Sequence, residues 1–124
     1  MAQTTLYLLK NLATDVATPI PSNTTSALGR HGAAVLPLHI VNAQVSRHQA
    51  DLVHAHGSLL LTSRGKHATA VVRGGVVIRV DERARDVRAG DAIVLCAARL
   101  LAAPAGPVAF EDGDAAFAVV VDDG

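Results

Sequence analysis

Lys66-His67-Ala68-Thr69-Ala70-Val71-Val72-Arg73-Gly74-Gly75-Val76-Val77-Ile78-Arg79-Val80-Asp81 is the stretch on which the fold class turns. Two runs of small and β-branched residues flank Gly74-Gly75. A two-residue hairpin connection needs positive φ at its centre, which glycine adopts without steric cost. Pairing across that turn sets Val71 opposite Ile78 and Val72 opposite Val77. Side chains alternate between the two faces of a strand. Val76, Ile78 and Val80 therefore share one face, while Arg79 and Asp81 point the other way.

The same pattern continues on both sides. Ser58 to Ser63 reads as a strand, Arg64-Gly65 as the turn after it, and Lys66 to Arg73 as the return. After Glu82 to Asp86, Ala89-Gly90-Asp91 turns the chain into Ala92 to Ala98, whose unbroken apolarity predicts a central strand covered on both faces. Pro104, Gly106 and Pro107 mark a loop, Glu111 to Asp114 a turn, and Ala115 to Val121 the last strand. Thr4 to Leu9 is a strand at the front of the chain. Between them, Asn11 to Gly32 carries Pro19, Pro21, Ser22, Asn23 and Gly29. Proline fixes φ and removes a backbone donor, so this span predicts an extended arm lying across a surface. Ile40 to His56 has two readings. Val41, Val45, His48 and Leu52 recur at helical spacing with Gly57 as a stop, whereas Ile40-Val41 and Leu52-Val53 are β-friendly pairs. The helix is preferred. The expected architecture is mainly β, a small sandwich or barrel of antiparallel hairpins with an extended N-terminal arm and room for one short helix. It forms a single domain over residues 1–124, with its β core at 58–121.

Composition narrows the function. Half the residues are hydrophobic, enough for a core without disulfides. Aromatics are reduced to Tyr7, Phe110 and Phe117, which argues against an aromatic-lined ligand pocket. Lys plus Arg and Asp plus Glu number 11 each, for a formal net charge of zero. Nucleic-acid binding normally needs a basic excess, so no such partner is expected. Zero net charge also removes the long-range repulsion that opposes association. Cys96, the only cysteine, sits in an apolar run and reads as a buried, inert thiol. No signal-like segment opens the chain and no apolar run approaches the ~20 residues of a membrane span. Synthesis in the cytosol and no membrane partner are the expectation.

Chemistry-bearing clusters are few. His54 and His56, on a strand, would project from one face as a metal pair requires; on a helix they could not share an ion. His67 is the candidate third ligand. His54-Ala55-His56, Gly74-Gly75 and Val87-Arg88-Ala89-Gly90-Asp91 together resemble the cupin family. Across about a third of the chain that resemblance implies a metal- or small-molecule-binding barrel using His54 and His56. The pattern departs from the family's in its long gap from His56 to the glycines. It also has no Glu between the histidine pair and Gly74, and no His after Gly90-Asp91. Ser58, Ser63 and Cys96 lack a nucleophile motif, and strands rather than a helix flank Gly74-Gly75, so that pair is no phosphate loop. No catalytic residue and no cofactor are expected.

Charge is laid out in blocks. Residues 64–99 hold Arg64, Lys66, Arg73, Arg79, Arg83, Arg85, Arg88 and Arg99 against Asp81, Glu82, Asp86 and Asp91. After Arg99 come Glu111, Asp112, Asp114, Asp122 and Asp123 and no base. The expected interface therefore sets Arg73, Arg79, Arg83, Arg85 and Arg88 of one copy against Asp112, Asp114, Asp122 and Asp123 of another, fixing orientation between them. The leading expectation is a non-enzymatic, homo-oligomeric assembly protein such as a capsid decoration or tail component of a virion. The cupin-like barrel is the alternative. A small regulatory module holding an anionic ligand on the Arg73–Arg88 surface, with Arg83 and Arg85, is the third reading.

Overall fold

The computed structural model describes residues 6–30, 36, 38, 40, 44–103 and 106–122. Their strands form two antiparallel sheets packed as a sandwich. The strands are β1 (Leu6–Asn11), β2 (Ala17–Ile20), β3 (Thr24–Leu28), β4 (Ala50–Ala55), β5 (Ser58–Ser63), β6 (Thr69–Arg73), β7 (Val76–Val80), β8 (Arg85–Val87), β9 (Ala92–Val94) and β10 (Ala116–Asp122). One sheet runs β2-β1-β10-β9-β6-β7 and the other β3-β4-β5-β8.

The Gly74-Gly75 hairpin has the expected register, with Val71 opposite Ile78 and Val72 opposite Val77. Both glycines are left-handed, at φ 57° and 79°. The β4–β5 connection uses the same geometry with a non-glycine first residue, His56 at φ 55° and Gly57 at 76°. Gly57 is thus the second residue of a tight hairpin turn, where the sequence suggested a helix stop. Ala50, Leu52 and His54 of β4 are buried, while Asp51, Val53 and Ala55 face outward. Pairing with β3 on one side and β5 on the other overrides the helical spacing of Val45, His48 and Leu52, because strand preference is set by neighbours more than by the chain itself. The expected helix over 40–56 is therefore corrected: 50–55 is strand, 44–49 is turn, and 41–43 lie outside the described residues.

The span 11–32 is extended, but it lies within the sandwich. Residues 17–20 pair with β1 and residues 24–28 with β4, so its two strands edge the two sheets. Pro19 sits on the edge strand β2, where a missing donor costs nothing. Residues 31–35 lie outside the described set, as do Thr4 and Thr5 of the first expected strand.

The main core lies between the sheets, with Leu9, Val71, Ile93 and Phe117 from one facing Leu28, Leu52, Leu59 and Leu61 from the other. A smaller cluster covers the outer face of the six-stranded sheet. Ala70, Val72, Ala92, Val94 and Ala116 lie beneath Leu100 of the short helix α1 (Ala98–Ala102), with Val108 and Phe110 against them. That second cover explains why all three residues of β9 are buried and why its sequence shows no alternation.

Two ion pairs clamp the ends of this sheet. The Asp91 carboxylate accepts two hydrogen bonds from Arg73, from Nε at 3.0 Å and Nη2 at 2.8 Å, and a third from the Arg88 backbone N–H at 2.8 Å. Asp114 accepts from Arg99 Nε at 3.0 Å and from the Glu111 backbone N–H at 2.8 Å. Burial alone would raise both carboxyls. The arginine and backbone hydrogen bonds outweigh it and hold both below the usual carboxylate range. A carboxyl depressed in the folded state stabilises the fold above its unfolded value of about 4, and that contribution is lost as pH falls through the folded value. The urea midpoint is therefore expected to fall steeply between neutral and strongly acid pH. Asp91→Asn/Asp114→Asn should lower the neutral-pH midpoint and flatten that acid decline. A wild-type slope in the double variant would remove these two groups from the account.

Candidate functional site

Strand register decides which loops meet. Leu28 pairs with Ala50, and Ala50 with Ser63, so residues 29–30, residues 44–49 and the turn after β5 share one end of the sandwich. Thr69 pairs with Val80 and Leu61 with Arg85, which adds residues 64–68 and 81–84 to that end. The hairpin turns at 56–57 and 74–75 lie at the other.

Gln49 ties this loop end together. It is fully buried and every polar group it owns is used. Its backbone N–H donates to the Leu28 carbonyl at 2.8 Å, and its carbonyl accepts from the N–H groups of Arg64 at 2.8 Å and Gly65 at 2.9 Å. Its side-chain Oε1 accepts from the Ser46 N–H at 3.1 Å, and Nε2 donates to the His67 carbonyl at 2.7 Å and to Thr69 Oγ1 at 2.9 Å. Gly65 must be glycine because a Cβ there would collide with Gln49 Oε1 and Ser46 Oγ. Gly29 is under the same constraint, facing the backbone carbonyls of Ser46 and Arg47. The Arg30 N–H donates to the Ser46 carbonyl at 3.0 Å, and the Lys66 N–H approaches Ser46 Oγ at 3.4 Å.

The segments so joined are basic. Residues 29–30, 44–51 and 64–68 carry Arg30, Arg47, Arg64 and Lys66, with Asp51 as their one carboxylate. Asp51 bridges His48 Nε2 at 2.6 Å and Arg64 Nε at 3.0 Å. Arg47 is exposed, and its side chain forms no ion pair among the described residues. A hydroxyl, fixed backbone and several cations at one rim suit an anion with several acceptor oxygens. Beside the rim, a cleft of about 300 Å³ is lined by Ser63–Ala68 and by Arg79, Val80, Asp81 and Glu82.

Of the residues singled out from sequence, Arg79 lines this cleft and Arg83 follows in the 81–84 turn at the same end; the metal-pair candidates lie elsewhere. His54 is buried and stacks edge-on against Tyr7 with ring centroids 5.1 Å apart, and its Nδ1 has no partner among the described residues. His56 is exposed in the β4–β5 turn. The two do not share a strand face, and no group of three metal-ligating side chains occurs among the described residues. Arg73 and Asp114, expected to meet across two copies, are instead neutralised within the chain by Asp91 and Arg99. Arg88 pairs with Asp86 at 2.9 Å. Arg79, Arg83 and Arg85 are exposed. Asp123 lies outside the described residues, as do the side chains of Asp112 and Asp122. Gln49 and Ser46 were missed, because their role depends on contacts with residues 64–69. The signals present were Gly29-Arg30 and Arg64-Gly65-Lys66, two glycine–cation pairs each directly after a strand.

No family model and no curated protein matches the sequence. Solved structures do. The FHA domain of human APLF, in complex with an XRCC1 bisphospho peptide, superposes with a TM-score of 0.70 at 15% identity over 93% of this chain and 97% of that one. The FHA domain of CT664 from Chlamydia trachomatis gives 0.65 at 20% identity over 93% and 96%. This is an FHA-like fold. The N-terminal FHA domain of S. cerevisiae Rad53p, in complex with a phosphothreonine peptide, gives 0.66 at 13% over 95% and 94%. These likenesses correct two sequence-based expectations. The FHA-like sandwich displaces the homo-oligomeric capsid decoration or tail protein, and equally the cupin-like barrel built on His54 and His56.

Gln49→Ala should cost about 2–3 kcal/mol, because it removes the side-chain partner of the Ser46 N–H and of the His67 carbonyl. Urea denaturation measures it. A loss within about 0.5 kcal/mol, the range of ordinary surface substitutions, would show that the loop end is held by something else.

Proposed function

We propose that the loop end of this FHA-like sandwich binds a phosphorylated peptide segment of a partner protein, with phosphothreonine as the phosphoresidue. The observation that carries this reading is the convergence of Arg30, Ser46, Arg47, Arg64 and Lys66 on a rim pinned by Gln49. A phosphorylated side chain presents about −2 charge and three acceptor oxygens at neutral pH. The exposed guanidinium of Arg47 can take two of those oxygens, and the Ser46 hydroxyl and the Lys66 ammonium can take the third. The FHA folds it resembles include one solved with a phosphothreonine peptide and one with a bisphospho peptide, which supports the same assignment.

Fluorescence anisotropy with a labelled phosphothreonine peptide and its unphosphorylated twin tests it. The phosphorylated peptide alone should bind. Arg47→Ala and Ser46→Ala should each weaken binding by about 10- to 100-fold, as expected for one charge-assisted hydrogen bond, with circular dichroism unchanged. Equal affinity for the two peptides, or full affinity in both variants, would overturn the reading.

A further inference from the structure

An open sheet has two edges, and an exposed edge strand is a template for another strand unless something blunts it. Three of the four edges here are blunted. β2 has four residues and carries Pro19. On β3 the Ala27 carbonyl accepts the Leu36 N–H at 2.9 Å. β8 has three residues, two of them charged. β7 is different. It ends the six-stranded sheet, four of its five residues are β-branched aliphatics, and it has no proline.

Register fixes which backbone groups of β7 are free. In a two-residue hairpin the residues flanking the turn, Arg73 and Val76, exchange hydrogen bonds, and such pairs then alternate along the ladder. Val76, Ile78 and Val80 are thus bonded to β6, and the N–H and C=O groups of Val77 and Arg79 point out from the sheet edge. No hydrogen bond reaches those four groups among the described residues. Val77 and Arg79 also share the outer face of the sheet, since they pair with Val72 and Ala70. On that face a cleft of about 430 Å³ adjoins β7, its lining including Val76, Val77, Leu100, Leu101, Pro107 and Val108. Val76 is 59% exposed. Two residues beyond Val77, Arg79 is exposed and makes no ion pair among the described residues.

We infer that β7 is a strand-addition site for an unphosphorylated, extended segment of a partner protein with the pattern acid-x-aliphatic. Added antiparallel, as every pair in this sheet is, the segment makes four backbone hydrogen bonds to Val77 and Arg79. The pleat sets its residues opposite Val77 and Arg79 on the outer face. The aliphatic residue then lies beside Val77 at the apolar cleft. The acid, two residues earlier in the segment, lies opposite the exposed guanidinium of Arg79 and complements its charge. This edge is separate from the loop-end rim, and the inference does not rest on the phosphopeptide reading.

Amide NMR of the whole chain, titrated with an unphosphorylated threonine-rich peptide carrying Glu-Thr-Ile at its centre, tests it. The Val77 and Arg79 amides should shift, and those of Ser46 and Arg47 should not. N-methylation of the isoleucine removes a donor aimed at Val77 and should weaken binding about 3- to 10-fold. N-methylation of the threonine before it, whose N–H points away from β7, should leave binding unchanged. Exchanging Glu for Lys should weaken binding about two- to fivefold, and Arg79→Glu should reverse that order. Val77→Pro, at a position whose N–H the sheet does not use, should abolish binding with circular dichroism unchanged. Should that variant not fold, the N-methylated peptides decide the question on the native chain. No shift at millimolar peptide, shifts centred on the rim, indifference to both N-methylations, or a preference for Lys over Glu overturns the inference. Self-association of the chain that Val77→Pro removes would give the edge to a second copy and overturn it likewise. Each of these failures leaves the phosphopeptide reading standing.

Discussion

A single buried glutamine holds the loop end of this molecule in shape. Gln49 lies at the start of β4 and satisfies groups from the end of β3, from the turn before β4 and from both sides of the turn after β5. Loops normally run over the surface because a buried one carries backbone groups that nothing satisfies. Here the glutamine backbone and side chain together supply the missing donors and acceptors, so three separate segments can pack closely. The glycines follow from the same contact. Gly29 and Gly65 give up their Cβ atoms so that the backbone of residues 46–47 and the Gln49 amide can approach.

The distribution of ion pairs then explains which charges remain available. Arg73 and Arg99 are bound to buried carboxylates, each carboxylate taking a backbone N–H as well. Those pairs close the β9 turn and the 111–114 turn, and their arginines have little left to offer a ligand. Arg47, Lys66 and Arg79, in contrast, are exposed around the loop end. A protein whose formal net charge is zero can therefore present a local basic surface, since its acids are spent on structure at particular places.

Much of the β architecture was legible in the sequence. The Gly74-Gly75 turn, the Val71–Ile78 register, the strand over Ser58–Ser63 and the doubly covered strand from Ala92, which ends at Val94 rather than Ala98, all rest on local signals, namely turn chemistry, alternation and unbroken apolarity. Two elements were not legible. β4 carries a helical spacing by accident of Val45, His48 and Leu52, and only the flanking strands β3 and β5 decide against it. The prolines of residues 11–32 pointed to a chain outside the sheets, whereas Pro19 and the short strand lengths suit sheet edges equally well. Propensity cannot separate these cases, because the deciding interactions come from residues distant in sequence.

The site was hidden for a related reason. Arg30, Ser46 and Arg64 are spread along the sequence, and none sits in a motif that spacing could expose. Counting charges by block made residues 64–99 look like a basic hairpin face and the C-terminal acids like its complement. Folding rearranges that account. It pairs Arg99 with Asp114 and Arg73 with Asp91, and it brings Arg30 and Arg47 from outside the block to join Arg64 and Lys66. Net charge summed along a sequence is therefore a poor guide to the field at a loop end. Strand register is the better one, because it fixes which loops share an end before any side chain is placed.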